Sequence, residues 1–327
     1  MLPLTVQPTT IRLEASSACQ LRCPSCPTTS GAARPVVGRG FLKFADFKAL
    51  LDANPWLEGV ELSNYGEIFV NPQLGQILEY AHGKGVKLHC TNGANLNDVT
   101  EPVLEAVVKY GLRRMTCSID GASQASYEIY RVRGNFDQVI ANVRRINHYK
   151  RIYQSKFPAL VWQFVVFGHN EHEIDAARQM ATELGMSFVV KLSWDSDFSP
   201  VRDKAAVRRA TRFDSATREE FRARYGHDYV EGICAQLWQM PQINWDGKVL
   251  GCCRNFWGEF GGNAFSDGLL NVINSEPMQY ARHMLRGDAP ARSDIPCTTC
   301  DIYLGRQGQA GRIVGAPSTA QAKIAEP

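Results

Sequence analysis

From Thr10 to about Trp194, short apolar runs alternate with longer segments whose apolar residues recur at helical spacing. The short runs predict strands over Ile11–Ala15, Gly59–Leu62, Lys87–Cys90, Arg114–Ile119, Ala159–Val166 and Phe188–Leu192. Between them the spacing predicts helices over Phe44–Leu51, Pro72–His82, Val103–Lys109, Asp137–Tyr149 and Glu173–Leu184. Strand and helix alternating in this way is the mark of βαβ units and a parallel sheet. Gly83, Gly111 and Gly185 are expected to close three of the helices, because glycine accepts the left-handed backbone found there. The pattern fits an incomplete (β/α)6 barrel and an open sheet equally well.

After Trp194 the character changes. Between Pro200 and Tyr225, Arg202, Lys204, Arg208, Arg209, Arg212, Arg218, Arg222 and Arg224 are set against only Asp203, Asp214, Glu219 and Glu220. Residues 196–230 therefore read as a charged helical bridge with solvated arginines. The alternative is a basic lip for an acidic or phosphorylated substrate. Residues 231–310 form a second unit, rich in cysteine, glycine and aromatics, with a hairpin over 242–250 turning at Asp246 and Gly247. Residues 311–327 are expected to be a mobile tail.

Composition narrows the class without deciding it. A chain of 327 residues can bury a full core and carry a smaller second domain. A net charge of +3 is too small to argue for nucleic acid or a membrane surface. No stretch is long and apolar enough for a bilayer, and the first residues lack the pattern of an export signal. The cytoplasm is the expected location.

The cysteines change the picture. Of 10 in the chain, eight fall into two groups: Cys19, Cys23 and Cys26, and then Cys234, Cys252, Cys253, Cys297 and Cys300. Without an export signal, grouping of this kind favours metal over disulfides. Cys90 and Cys117 stand apart on predicted strands and read as buried small hydrophobes. The first group, spaced C-x3-C-x2-C, supplies three thiolates from one loop at a strand's C-terminal end, where barrels place their active sites. A cubane iron–sulfur cluster normally takes four cysteines. Three leave one iron open to bind and activate a ligand. In the second group, Cys297 and Cys300 form a C-x2-C pair that suits zinc as well as an iron–sulfur cluster.

The first motif resembles that of the radical S-adenosylmethionine (SAM) enzymes, and the resemblance covers most of the chain. It implies a partial (β/α)6 TIM-like barrel with a small C-terminal α+β cluster-binding domain, residues 1–195 being the barrel. Gly66-Glu67 is similar to part of the family's Gly-Gly-Glu-Pro segment, which makes Glu67 a contact for the methionine amino group. Ser118 and Arg131 fall where relatives bind the methionine carboxylate, with Asp120 as a further polar contact. An arginine fork matches a carboxylate geometrically. Gln163 and Asn170 are placed to reach ribose or adenine. Many relatives carry an aromatic residue before the third cysteine, whereas this chain has Ser25.

The C-terminal cysteines resemble the family's SPASM or shorter twitch domain. The resemblance favours one auxiliary [4Fe–4S] cluster on Cys234, Cys252, Cys297 and Cys300, with Cys253 as an alternative to Cys252. Together these imply SAM and two [4Fe–4S] clusters as cofactors, and a flavodoxin- or ferredoxin-type electron donor. The implied chemistry is cleavage of SAM to a 5′-deoxyadenosyl radical that takes hydrogen from the substrate. Dehydrogenation of a small polar molecule then passes an electron to the auxiliary cluster; epimerisation of such a molecule is the other expected outcome. Asp195, at the end of the sixth strand near Lys191 and Trp194, is a possible proton acceptor. One alternative is a maturase acting on a ribosomal peptide or protein side chain, which the short segment before the first strand disfavours. The other is a non-catalytic iron–sulfur electron carrier.

Overall fold

In a computed structural model the described residues are 3–305. The expected tail, 311–327, lies outside them. Strands β1 (Thr10–Leu13), β2 (Gly59–Glu61), β3 (Lys87–Ala94), β4 (Arg114–Ser118), β5 (Ala159–Val166) and β6 (Ser187–Leu192) pair in parallel, each with the next. The intervening helices include α1 (Phe44–Ala53), α2 (Leu74–Lys84), α3 (Glu101–Lys109), α4 (Gln124–Tyr130), α5 (Phe136–Ile152) and α6 (Ile174–Glu183). This is the partial barrel of α/β class that the sequence led us to expect.

The strands explain why the concave face is reactive. Ile11 and Leu13 on β1, Val60 on β2, and Leu160, Trp162, Phe164 and Val166 on β5 belong to the main core with the helices. Side chains alternate across a strand, so Arg12, Glu61, Gln163 and Lys191 lie on the other face. Adjacent registers agree, with Arg12 opposite Glu61 and Val165 opposite Lys191. A parallel sheet buried against apolar layers on both sides shows continuous apolar runs. Here the inner face is polar. Trp162 anchors the outer layer: it is fully buried, and its indole N–H donates to the Ile119 carbonyl at 2.7 Å. Truncating it to alanine should cost about 3–5 kcal/mol.

The C-terminal hairpin is continuous with the barrel sheet. Its strands β7 (Gln242–Ile243) and β8 (Val249–Gly251) extend the barrel sheet, giving the order β6-β5-β4-β3-β2-β1-β7-β8. β7 runs parallel to β1, so the second cysteine group is joined to the sheet beside the first. Helices α7 (Lys204–Ala210) and α8 (Arg218–Tyr225) occupy the basic segment, followed later by α9 (Glu276–Arg286). Several of its arginines are paired: Arg208 with Glu220, Arg222 with Asp228 and Arg224 with Asp214. One helix end was misplaced from sequence. Gly83 lies inside α2, and Gly85, at φ +74°, closes the helix two residues later by donating to Ala81 and His82 carbonyls.

Candidate functional site

The loop after β1 carries the first three cysteines. Cys26 N–H donates to the Cys23 carbonyl at 3.2 Å, and Pro27 opens a single helical turn behind it. Leu21, Cys23, Tyr130, Val165 and Phe167 form a small buried group against which Cys19 and Cys26 pack. Burial pushes the Cys19 thiol up to about 12, reinforced by Glu67 and then by Cys23 and Cys26. Burial likewise raises Cys23. Three thiols on one short loop suit a bound metal cluster, whose charge stabilises the thiolate form of each ligand.

Polar groups reach these thiols from several strand ends. Gly66 lies so close to the Ser16 carbonyl that a Cβ would sit 2.1 Å from it. That approach lets Glu67 N–H donate to the Ala18 carbonyl at 2.8 Å, next to Cys19. The Glu67 carboxyl is buried and accepts from Asn95 N–H at 2.6 Å and Phe69 N–H at 3.3 Å. Burial outweighs those donors and raises it to about 7. Arg131 follows α4, its Nε 2.6 Å from Asp120 Oδ2 and its Nη1 3.7 Å from Cys23 Sγ. Burial alone would lower its guanidinium, yet Asp120 and Cys23 hold it above the ordinary value. Ser118 ends β4 beneath Gly93, where a Cβ would meet the Ser118 hydroxyl at 2.4 Å.

Other expected contacts are placed differently. Gln163 accepts from Lys191 Nζ at 3.4 Å on the inner face. Asn170 is fully buried, donating to the Asp120 and Val165 carbonyls and accepting from Phe167 N–H, so its amide closes the turn after β5. Asp195 accepts from the Ser25 hydroxyl at 2.5 Å and from the N–H groups of Asp197 and Phe198. The Ser25 contact in particular lowers its carboxyl. Asp195 thus ties the β6 end to the cysteine loop.

Two carboxylates were missed from sequence. Glu14 is fully buried and accepts from Tyr65 and Gly66 N–H groups, holding the segment that carries Glu67. Burial raises it to about 8. Glu61 accepts from Ser63 and Thr91 and so joins the segment after β2 to β3. The polar members of the alternation Ile11-Arg12-Leu13-Glu14 signalled the first.

The second group lines one cavity. Cys234, Cys252, Cys297 and Cys300 surround it, with Leu237 and Trp257 among its walls. Cys234 comes from a helical turn, Cys252 follows β8, and Cys297 and Cys300 bracket a turn closed by Cys300 N–H on the Cys297 carbonyl at 3.1 Å. Burial raises Cys234 and Cys297, and takes Cys252 up to about 12. A closed set of four soft thiolate donors in an apolar wall fits an iron–sulfur cluster. Cys253 is absent from this lining. Instead Gln236 Nε2 donates to its sulfur at 3.4 Å, and its N–H donates to Gln236 Oε1 at 2.8 Å.

Family models match the two regions that carry the two cysteine groups. A model of the radical SAM superfamily matches residues 13–181, and one of the SPASM iron–sulfur cluster-binding domain matches 234–301. The AdoMet-dependent heme synthase of Methanosarcina barkeri is 26% identical over 188 residues, 57% of this chain and 50% of that protein. The chain therefore spans about half the length of this curated relative. SuiB of Streptococcus suis, bound to S-adenosylmethionine, shares the fold with TM-score 0.64 and 16% identity, over 90% of this chain and 71% of that one. BtrN in complex with AdoMet and 2-DOIA gives 0.52 and 14%, over 91% and 94%.

Proposed function

Since the chain belongs to the radical SAM superfamily and carries a SPASM domain, we propose that it is an oxidoreductase of small polar molecules, dehydrogenating or epimerising its substrate. The radical SAM domain binds SAM and a [4Fe–4S] cluster, and the SPASM domain binds auxiliary iron–sulfur cofactor. When bound, these supply a 5′-deoxyadenosyl radical to take substrate hydrogen and an acceptor for the electron left behind. In this reading residues 1–195 form the barrel, 196–230 a bridge and 231–310 the auxiliary domain, and the enzyme works in the cytoplasm with a flavodoxin- or ferredoxin-type donor. No helix among the described residues is long and apolar enough to cross a membrane.

The protein's own groups have distinct parts. Cys19, Cys23 and Cys26 hold the first cluster, and Cys234, Cys252, Cys297 and Cys300 the auxiliary one. Glu67 receives the methionine ammonium, and Ser118 and Arg131 its carboxylate, with Asp120 fixing the guanidinium. Gln163 faces the ribose side, while Asn170 supports it through the turn after β5. Asp195, held against Ser25, is the candidate proton acceptor should the β6 loop open.

The observation that carries the substrate class is the position of Lys191. Burial, with Arg218 next, lowers its ammonium to about 8. It lies at the C-terminal end of β6 on the inner face, with Gln163 as its hydrogen-bond partner. A polar inner face there suits hydroxyl, amino or carboxylate groups better than an apolar ligand. A second reading, modification of a peptide, draws on SuiB, which has been crystallised bound to the precursor peptide SuiA. BtrN matches this chain over nearly the whole of both and was crystallised with 2-DOIA, which favours the first reading.

The test is turnover by anaerobic, iron-reconstituted enzyme with SAM and reductant, offered amino sugars, cyclitols, nucleotide derivatives and peptides. Formation of 5′-deoxyadenosine together with a small molecule that loses two hydrogens or inverts one centre is the expected result. Modification confined to peptides would replace the proposal with the second reading.

A further inference from the structure

The basic residues of 202–224 differ in their surroundings. Lys204 and Arg208 meet Glu220, Arg222 meets Asp228, and Arg224 meets Asp214. Arg202, Arg209 and Arg212 are exposed. Arg218, at the start of α8, is half-buried, and among the described residues it makes no ion pair. Its guanidinium lies over the Tyr229 ring, 4.9 Å from the centroid. Its one hydrogen bond among the described residues runs from Nε to the Leu192 carbonyl at 3.4 Å.

The Leu192 contact brings Arg218 to the end of β6, beside Lys191. Val190 and Leu192 pack into the apolar layer, so Lys191 projects to the inner face. There it too is half-buried and makes no ion pair among the described residues. Its contact with Gln163 Oε1, at 3.4 Å, is long for a hydrogen bond from nitrogen. After burial, Arg218 is the largest influence on the Lys191 ammonium, and it opposes the charge. The nearby carboxylates are engaged elsewhere, Asp120 with Arg131 and Asp228 with Arg222, while Glu219 is exposed. Arg254, which opposes the Arg218 charge, is itself paired with Asp301. Two cations that have lost part of their water and repel one another are unfavourable until an anion joins them. A carboxylate or phosphate would accept a charge-assisted hydrogen bond from each.

We propose that Lys191 and Arg218 together bind an anionic group of the substrate, a carboxylate or a phosphate, at the C-terminal end of β6. This assignment rests on the small-molecule reading of the site and narrows it: the polar substrate is an acid. It also gives the basic segment a part in recognition. One of its arginines reaches the barrel, while the others meet acids or water.

The experiment compares binding of glucose 6-phosphate, glucuronate and glucose, one ring bearing a phosphate, a carboxylate or neither. Calorimetric titrations use anaerobically reconstituted parent, Lys191→Met, Arg218→Gln and Arg218→Lys proteins. Iron per chain, SAM affinity and 5′-deoxyadenosine formation are measured on the same preparations. Hydrogen bonds to a charged group predict that the parent binds one or both acidic sugars about tenfold or more tightly than glucose. The tighter of the two tells phosphate from carboxylate. That preference should vanish in Lys191→Met and Arg218→Gln and persist in Arg218→Lys, with iron and SAM affinity at the parental level. No preference in the parent, or a preference kept by both charge-removing variants, would overturn the proposal while leaving SAM cleavage intact. Loss of iron from Arg218→Gln would overturn it by making the arginine a counterion of the auxiliary cluster. Weaker SAM binding in Lys191→Met would do so by making the lysine a cofactor contact. A parent that prefers acidic sugars but forms no 5′-deoxyadenosine would overturn the reading of the reaction, and with it the anion's identity as substrate.

Discussion

Around Cys19, Cys23 and Cys26 the neighbours are charged: Glu67 acts on the first thiol, and Arg131 and Asp120 on the second. Around Cys234, Cys252, Cys297 and Cys300 the cavity wall is mainly apolar, with Leu237, Leu250, Trp257 and Phe260, and Arg254 is its charged member. Burial raises Cys19 and Cys23 at the first site and Cys234, Cys252 and Cys297 at the second. The sites differ in what a bound cluster could then do. Three thiols beside charged groups leave room for a polar ligand on the metal and for residues to orient it. Four thiols in an apolar wall complete the coordination and leave electron transfer as the remaining role. One continuous sheet holds both, because β7 pairs with β1.

The strongest way to break this contrast is at the closed site. Replacing Cys297 and Cys300 together by alanine should lower iron from about eight to about four per chain, with 5′-deoxyadenosine still formed and substrate oxidation lost. Cys253→Ala should keep its iron, because its sulfur faces Gln236 rather than the cavity. Iron lost from Cys253→Ala would mean that the adjacent cysteines exchange roles when the cluster is bound.

A smaller effect sharpens the view of the open site. Arg131→Ala leaves the fully buried Asp120 without its ion-pair partner. Breaking a buried pair in this way should destabilise the fold by about 3–5 kcal/mol, seen in urea unfolding, and weaken SAM binding at the same time. Arg131→Lys should restore part of the stability but little of the affinity, since an ammonium lacks the planar fork.

These tests also mark how far the sequence could be read. The six barrel strands were legible from alternation, and the cysteines from local spacing. β7 was legible as part of a hairpin but not as a neighbour of β1, because a two-residue strand carries no periodic signal of its partner. Helix α4 was missed: it spans only seven residues, and its start is set by the Ser123 side chain accepting from Ser126 N–H. At the site, Glu67 and Arg131 were legible because they follow strands in ligand order. The contact between Ser25 and Asp195 joins residues 170 apart and is a product of tertiary folding. Asn170 reads from sequence as a ligand contact, whereas its side chain makes two hydrogen bonds within the turn and a third to the Asp120 carbonyl.

The smallest expected effect concerns pH. Glu14 is raised to about 8 by burial, above its ordinary value of 4.5. The folded state therefore binds the proton more tightly than the unfolded chain does. Its contribution to stability is complete below about 4.5 and is lost as pH rises through about 8. The melting temperature should fall between pH 6 and pH 9, and Glu14→Gln should flatten that decline. An unchanged slope would show that Glu14 is ionised in the fold throughout.

The central claim, an open radical-initiating site beside a closed auxiliary one, is tested most directly by iron content and SAM cleavage measured together. The parent and a Cys19→Ala/Cys23→Ala/Cys26→Ala variant would be reconstituted anaerobically side by side. The account predicts about eight irons in the parent and about four in the variant, with 5′-deoxyadenosine made by the parent alone. About four irons plus zinc in the parent, or two full clusters with no cleavage of SAM, would contradict it.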